Sequence, residues 1–147
     1  MKYPTRVSDA VHIMVFIHLN PTQDLSSGAI AYSIRTNPSY VRQLMAALKK
    51  AGLLNGMRGQ AAPSLTQEPS AITLLDIYRA VEGNKPLLHL DTHTNPACGV
   101  GVNIQLALSD YYAEIQKSAE SRMAEITLEN IIRTYYDYIR RADPNTR

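Results

Sequence analysis

The sequence has little cysteine and no long apolar run. Cys98 is the single cysteine in 147 residues, which excludes an intrachain disulfide framework and a disulfide-stapled secreted scaffold. No stretch approaches the roughly eighteen consecutive apolar residues of a membrane span, and the N-terminus has no signal-peptide cleavage pattern. Apolar residues make up 45% and charged residues 19%, which is typical of a folded domain rather than a disordered chain. We therefore expect a cytoplasmic protein.

Acidic residues are scarce in the first part of the chain. Residues 1–60 contain seven Lys or Arg and two acids, a net charge of +5, whereas residues 61–147 have a net charge of −3. A basic half followed by an acidic half favours a polyanionic partner for the first half. The alternative is a chance asymmetry.

The periodicity of apolar residues predicts a mainly α fold with a small β-hairpin. The predicted helices span about residues 6–19, 26–34, 38–51, 72–81, 102–124 and 127–139. Glycines and a proline flank two short apolar pieces in residues 53–65, where we predict the hairpin. Three short helices followed by a hairpin are typical of a winged helix-turn-helix.

This pattern predicts three parts in the chain. Residues 1–83 form the winged helix-turn-helix, residues 84–101 a sensor or hinge loop, and residues 102–147 a long dimerisation helix with a C-terminal helix. The long helix carries apolar residues at 4-3-4 spacing, which is typical of a helix that packs on another helix: Ile104, Leu108, Tyr111 and Ile115.

The third helix has one apolar face and one polar face without Asp or Glu. The apolar face contains Val41, Leu44, Met45 and Leu48, and the opposite face contains Ser39, Arg42, Gln43, Ala46 and Lys50. Arginine reads guanine and glutamine reads adenine in the major groove, while serine and lysine bind phosphates. We interpret this helix as the DNA-reading helix. The alternative is an ordinary solvated face.

A single arginine, Arg58, lies in the predicted hairpin between Met57 and Gly59. An arginine at a wing tip can enter a narrow minor groove, where the negative potential is enhanced. The alternative is an arginine in a surface turn.

Four segments resemble the Rrf2 family of bacterial winged-helix transcription regulators: residues 37–44, 48–54, 57–59 and 72–83. The most specific of them reads Leu-Leu-Asp-Ile-Tyr-Arg-Ala-Val-Glu-Gly at residues 74–83, and the resemblance covers essentially the whole chain. It implies a homodimeric repressor that binds a palindromic operator in double-stranded DNA. It also implies DNA contacts by Ser39, Tyr40, Arg42, Gln43, Arg58 and Gly59.

Cluster-binding members of that family have three cysteines before the long helix, whereas this chain has only Cys98. The segment around it resembles the YwnA-type branch, which has one cysteine and no cluster, so we expect no cofactor and no bound metal. Cys98 precedes a helix start, which lowers a thiol pKa and favours oxidation. The resemblance to the family favours a redox sensor at this position. The alternatives are an inert buried cysteine, or another ligand or a metal sensed in this segment, for which His89 and His93 are candidates.

No nucleophile–base–acid set, phosphate-binding glycine loop or paired-cysteine zinc motif occurs in the sequence. We therefore expect no enzymatic activity and reject a small enzyme built on Cys98 and a histidine, because no motif supports it. A winged-helix module that binds proteins rather than DNA remains the alternative function.

Overall fold

A computed structural model describes residues 4–56, 62–143 and 145 of the chain. It confirms the mainly α fold with one small hairpin. The elements are α1 (Arg6–Leu19), α2 (Ser27–Ile34), α3 (Pro38–Lys50), β1 (Leu54–Asn55), β2 (Ser64–Leu65), a 3-10 turn (Pro69–Ala71), α4 (Leu74–Glu82), α5 (Gly99–Met123) and α6 (Leu128–Ala142).

Polar side chains cap several of these helices at their first turn. Ser26 caps α2 and Asn37 caps α3, whose first residue is Pro38. Thr73 and Thr127 form capping boxes at α4 and α6: each threonine hydroxyl oxygen accepts from the amide three residues on, and the side chain of that residue, Asp76 or Asn130, accepts from the threonine amide. The sequence pattern therefore located most helix starts correctly.

Two predicted helix starts are wrong by a few residues. The structure begins α4 at Leu74 rather than Ile72, because Thr73 is extended and caps the helix. It begins α5 at Gly99 rather than Val102, because Cys98 is the extended residue before the helix. Gly99 and Gly101 lie in the first turn of α5. Because glycine favours loops, the sequence pattern placed the start of the helix after them, although glycine is tolerated in a first turn.

The hairpin that corresponds to the wing is short. Strand β1 pairs antiparallel with β2, with Leu54 opposite Leu65 and Asn55 opposite Ser64. The predicted wing-tip residues Arg58 and Gly59 lie outside the described residues.

One hydrophobic core joins α1 to α4 and includes part of α6. Its fully buried large side chains are Ile13, Met14, Ile30, Val41, Leu44, Leu48, Ile72, Ile77 and Leu128. The starts of α4 and α6 lie side by side, because the Leu74 amide donates to the Ile126 carbonyl and the Leu128 amide to the Ile72 carbonyl, each at 2.8 Å. The C-terminal helix thus packs on the winged-helix part.

Helix α5 has no buried residue. It contacts α4 through a hydrogen bond from Gln116 Nε2 to the Tyr78 hydroxyl oxygen at 3.1 Å, and through an ion pair of Arg79 and Glu120 at 3.5 Å. The long helix therefore extends from the core instead of belonging to it.

The segment between α4 and α5 lies along α5. The amide of Leu87 donates to Gln116 Oε1 at 2.9 Å, and the amide of Asp91 donates to Gln105 Oε1 at 3.0 Å. Two glutamines of α5 therefore position this segment. Across the described part of the chain, no helix combines the length and the apolar character needed to cross a membrane.

Candidate nucleic-acid interface

Helix α3 buries its apolar face and exposes its polar face, as the sequence predicted. Val41, Leu44, Met45 and Leu48 are buried in the core. The side chains on the opposite face are exposed: Ser39, Arg42, Gln43, Ala46, Lys49 and Lys50. The exposed surface of α3 therefore contains hydroxyl, guanidinium, amide and ammonium groups and no carboxylate from the helix itself.

Arg42 is held against the start of the preceding helix. Its Nη1 donates to Ser27 Oγ, in the first turn of α2, at 3.2 Å. Arg42 is exposed and Ser27 is half-buried, and one bond uses only one of the five N–H donors of the guanidinium, so the others can reach another acceptor. This bond limits the rotamers of Arg42 before any ligand binds.

Tyr40 differs from its neighbours on α3 because it is half-buried and packs on the core. Its hydroxyl donates to Asp9 Oδ2, in the first turn of α1, at 2.9 Å. Burial raises the pKa of Tyr40, and the adjacent Asp9 carboxylate raises it further, so the hydroxyl keeps its proton. The structure therefore gives Tyr40 an intramolecular partner.

Sequence reasoning missed Asp9 and Ser27 as parts of this surface. Asp9 is 31 residues from Tyr40 along the chain, and Ser27 is 15 residues from Arg42. An aspartate in a first helical turn is ordinary, because it interacts favourably with the helix dipole. No local pattern could identify its partner on another helix.

Cys98 lies at the start of α5 and is exposed, so no contact within the protomer buries it. The backbone amides of Gly101 and Val100 lower the pKa of the Cys98 thiol below its ordinary value, because they favour the thiolate. The helix-start effect expected from the sequence is therefore present in the structure.

A tight turn at residues 95–98 holds this thiol in place. The Cys98 amide donates to the Asn95 carbonyl at 3.2 Å, and the Ala97 amide donates to Asn95 Oδ1 at 2.9 Å. A Cβ at Gly101 would lie 2.9 Å from the Asn95 carbonyl oxygen, a distance that a side chain cannot adopt without a shift. Gly101 therefore allows the turn to pack on α5.

Comparison with known proteins identifies relatives over most of the chain. The Rrf2 family, described as an iron-dependent transcriptional regulator, matches residues 3–134. YwnA of Bacillus subtilis (strain 168), named as an HTH-type transcriptional regulator, is 35% identical over 128 residues, 87% of this chain and 95% of that protein.

Two solved structures extend this similarity to the fold. A crystal structure described as a DNA-binding protein is 35% identical, with a TM-score of 0.68 over 86% of this chain and 98% of that one. CymR, the global cysteine regulator of B. subtilis, is 25% identical, with a TM-score of 0.61 over 89% and 95% of the two chains.

The residues of this chain do not fit an iron site of the kind the family description implies. Iron–sulfur clusters are held mainly by several cysteine thiolates, and this chain has one cysteine. Among the described residues, no three His, Cys, Asp or Glu side chains converge on a common point. The exposed His93 pairs with Asp91, whose carboxylate lies 3.8 Å from its Nδ1. No step below therefore involves iron.

Proposed function

The chain belongs to the Rrf2 family of transcriptional regulators, and from that premise we propose that it is a homodimeric, sequence-specific DNA-binding repressor. In this proposal α3 reads a palindromic operator in double-stranded DNA, α5 joins the two protomers, and Cys98 senses thiol oxidation. The family is one of regulators rather than enzymes, in agreement with the expectation from the sequence.

The observation that carries the DNA proposal is the exposed, acid-free face of α3 above a fully buried apolar face. We assign Arg42 and Gln43 to base edges, because their donors and acceptors match guanine and adenine. We assign Ser39 and Lys50 to phosphates, since a hydroxyl at a helix start and an ammonium bind anions well.

We retain the wing as a second contact. Arg58 and Gly59 lie outside the described residues, so their assignment rests on the sequence and on membership of the family. An arginine there would enter the minor groove beside the major groove that α3 occupies.

The exposed apolar seam of α5 supports a homodimer. Of the four predicted seam residues, Leu108 is half-buried, whereas Ile104 is 43%, Tyr111 64% and Ile115 48% exposed on the same side of the helix. A contiguous exposed apolar strip on a helix without buried residues indicates a protein partner. A second copy fits best, because two-fold pairing would present two α3 helices to two half-sites about 34–36 Å apart.

Cys98 could link oxidation to operator binding through α5. Hydrogen peroxide transfers one oxygen atom to the thiolate, which becomes a sulfenic acid, and the remainder leaves as hydroxide. A second thiol, from a small thiol molecule or from Cys98 of a second copy of the chain, then forms a disulfide and releases water. The oxidised Cys98 side chain is larger than the thiol, and it lies where the turn of residues 95–98 contacts Gly101. This would change the spacing of the two α3 helices. A loss of about 2.7 kcal/mol in the free energy of operator binding is enough to weaken that binding a hundredfold.

The experiment that tests the proposal is selection of DNA fragments by the purified protein, with and without reductant. We expect enrichment of a two-fold symmetric sequence under reducing conditions, with an affinity that falls steeply as salt rises. Selection of no sequence, together with binding that is insensitive to salt, would favour the protein-binding module and contradict the proposal.

The sensor assignment is tested separately with Cys98→Ser. This variant should bind the selected fragment like the parent and keep binding after treatment with peroxide, hypochlorite or diamide. If the parent never loses DNA on oxidation, or the serine variant still does, the thiol assignment is wrong while the DNA assignment stands.

A further inference from the structure

The first turns of α1 and α3 are joined by a hydrogen-bonded pair, Tyr40 and Asp9. Asp9 Oδ2 accepts from the Tyr40 hydroxyl at 2.9 Å and from Thr5 Oγ1 at 3.0 Å. Hydrogen bonds to a charged acceptor are about twice as strong as bonds between neutral groups. This pair is therefore a firm link between two helices that meet at the proposed DNA surface.

The carboxylate of Asp9 sits on a turn that is itself attached to the core. Arg6, in the same turn of α1, donates its Nε to the Val81 carbonyl near the end of α4 at 3.3 Å. Ala10, the next residue after Asp9, is fully buried. The turn of α1 that contains Asp9 is thus fixed relative to the core.

Tyr40 connects this fixed acid to the turn of α3 that carries the proposed reading residues. It lies between Ser39 and Arg42, and its backbone amide donates to the Asn37 cap at 2.8 Å. Side chains that recognise a ligand must be held within about 0.5 Å and 10–20° of the productive geometry. Val41, in the same turn, is fully buried, and the Tyr40 bond adds a second, directional restraint on the rotation of α3 about its axis.

We propose that Asp9 is a positioning residue for DNA reading: through the Tyr40 hydroxyl it fixes the rotation of α3, and so the direction of Ser39, Arg42 and Gln43. The proposal rests on the DNA-binding function proposed above and specifies how its site is held. Tyr40 then supports the DNA surface through Asp9 instead of contacting a phosphate with its hydroxyl.

Because Asp9 is charged, a positioning role and simple charge repulsion predict changes in DNA affinity of opposite sign when Asp9 is replaced. Removing a carboxylate near a polyanion ordinarily strengthens binding, because it removes repulsion. The positioning role predicts the opposite for Asp9→Ala, which deletes the acceptor. Asp9→Asn removes the same charge but keeps an oxygen that can accept from Tyr40.

The experiment measures affinity for the selected fragment and for unrelated DNA with Asp9→Ala, Asp9→Asn, Tyr40→Phe and the Asp9→Ala/Tyr40→Phe double variant. Asp9→Ala and Tyr40→Phe should each weaken binding of the selected fragment about tenfold, the share expected of one charged hydrogen bond. Neither should weaken binding of unrelated DNA, and Asp9→Ala should strengthen it slightly because a negative charge is lost. The double variant should be no weaker than either single one, and Asp9→Asn should bind within twofold of the parent or better. Asp24→Asn is the matched control, since it removes the other acid of residues 1–60, and within the described part of the chain the Asp24 carboxylate accepts from the Ser26 amide rather than from α3.

A readout without DNA separates this inference from the function on which it rests. Amide hydrogen exchange in the first turn of α3 should accelerate in Asp9→Ala and Tyr40→Phe and stay at the parent rate in Asp9→Asn. Asp9→Ala with parent or better affinity, additive losses in the double variant, or unchanged exchange would overturn the positioning role. Failure of the parent to bind any fragment would contradict the proposed function, and the exchange data would still decide the role of Asp9.

Discussion

Helices α3 and α5 expose surfaces of opposite chemistry. Helix α3 buries all four of its large aliphatic side chains and exposes polar and basic ones, whereas α5 exposes Ile104, Tyr111 and Ile115 and buries nothing. Within one protomer, the core covers the apolar face of α3, whereas the apolar strip of α5 is exposed to solvent. A polar face free of acids suits a polyanion, and an apolar strip in water suits another protein surface.

An exposed surface has a different energetic meaning on each of these two helices. The polar face of α3 costs nothing in water and is available for a ligand. The apolar strip of α5 is unfavourable in water by about 25 cal/mol per Å² until something covers it. Recognition of DNA is therefore assigned to α3 and assembly of the dimer to α5, and a substitution on either helix should affect mainly the role of that helix.

The largest effect is expected when the apolar strip of α5 receives a charge. Tyr111→Glu places two carboxylates in a two-fold interface, and we expect the dimer to weaken at least a hundredfold, about 2.7 kcal/mol. Operator binding should weaken with it. Sedimentation equilibrium measures the change. Ala113→Glu is the control, because Ala113 is exposed and lies about 200° around the helix from Tyr111. A Tyr111→Glu protein as dimeric as the control would contradict the role of the strip.

The next largest effect concerns the polar face of α3. Arg42→Ala should lower affinity for the selected fragment by about 1–3 kcal/mol and relax the preference at one base pair. Binding assays against fragments with single base changes measure both. Arg42→Lys separates two roles, since lysine retains the charge and loses the planar fork. If the lysine variant keeps the parent preference at every position, Arg42 contacts a phosphate rather than a base.

A smaller, uniform effect is expected at the other end of α3. Lys50→Ala should weaken binding to every fragment alike and reduce the salt dependence by about one unit of slope, as for the loss of one phosphate contact. Titration at several salt concentrations measures the slope. Lys117→Ala removes the same charge from α5 and should leave the slope at the parent value. Equal slopes for the two variants would show that Lys50 acts only through net charge.

The smallest effect is expected for the pKa of the Cys98 thiol at the start of α5. The structure lowers the pKa of Cys98, so the thiolate forms at lower pH in the folded protein than in the unfolded chain. The rate of reaction with an aromatic disulfide should rise with pH through a midpoint that lies lower for native than for urea-unfolded protein. Coincident midpoints would contradict the influence of the first turn of α5 on the thiol.

The sequence was most informative where local rules decide the structure. The caps at Asn37 and Thr127, the proline at the first position of α3 and the two faces of that helix follow from spacing alone, and the structure has them as predicted. The start of α5 was predicted late because glycines favour loops, and the cap is a cysteine whose extended backbone no residue preference signals.

What the sequence did not predict depends on contacts between distant elements. The bond from Tyr40 to Asp9, the bond from Arg42 to Ser27 and the two glutamines that hold the segment along α5 join residues that are 14 to 31 positions apart. Periodicity describes one face of one element and contains no information on which turns of two helices meet.

If α5 assembles two copies so that two α3 helices read one operator, the mass of the protein–DNA complex must correspond to two protomers on each site. Sedimentation of the parent with the selected fragment, under reducing conditions, should give two protomers on each symmetric site. Tyr111→Glu should give no stable complex at the same concentration. One protomer on each fragment, or full binding by the Tyr111→Glu variant, would contradict the account.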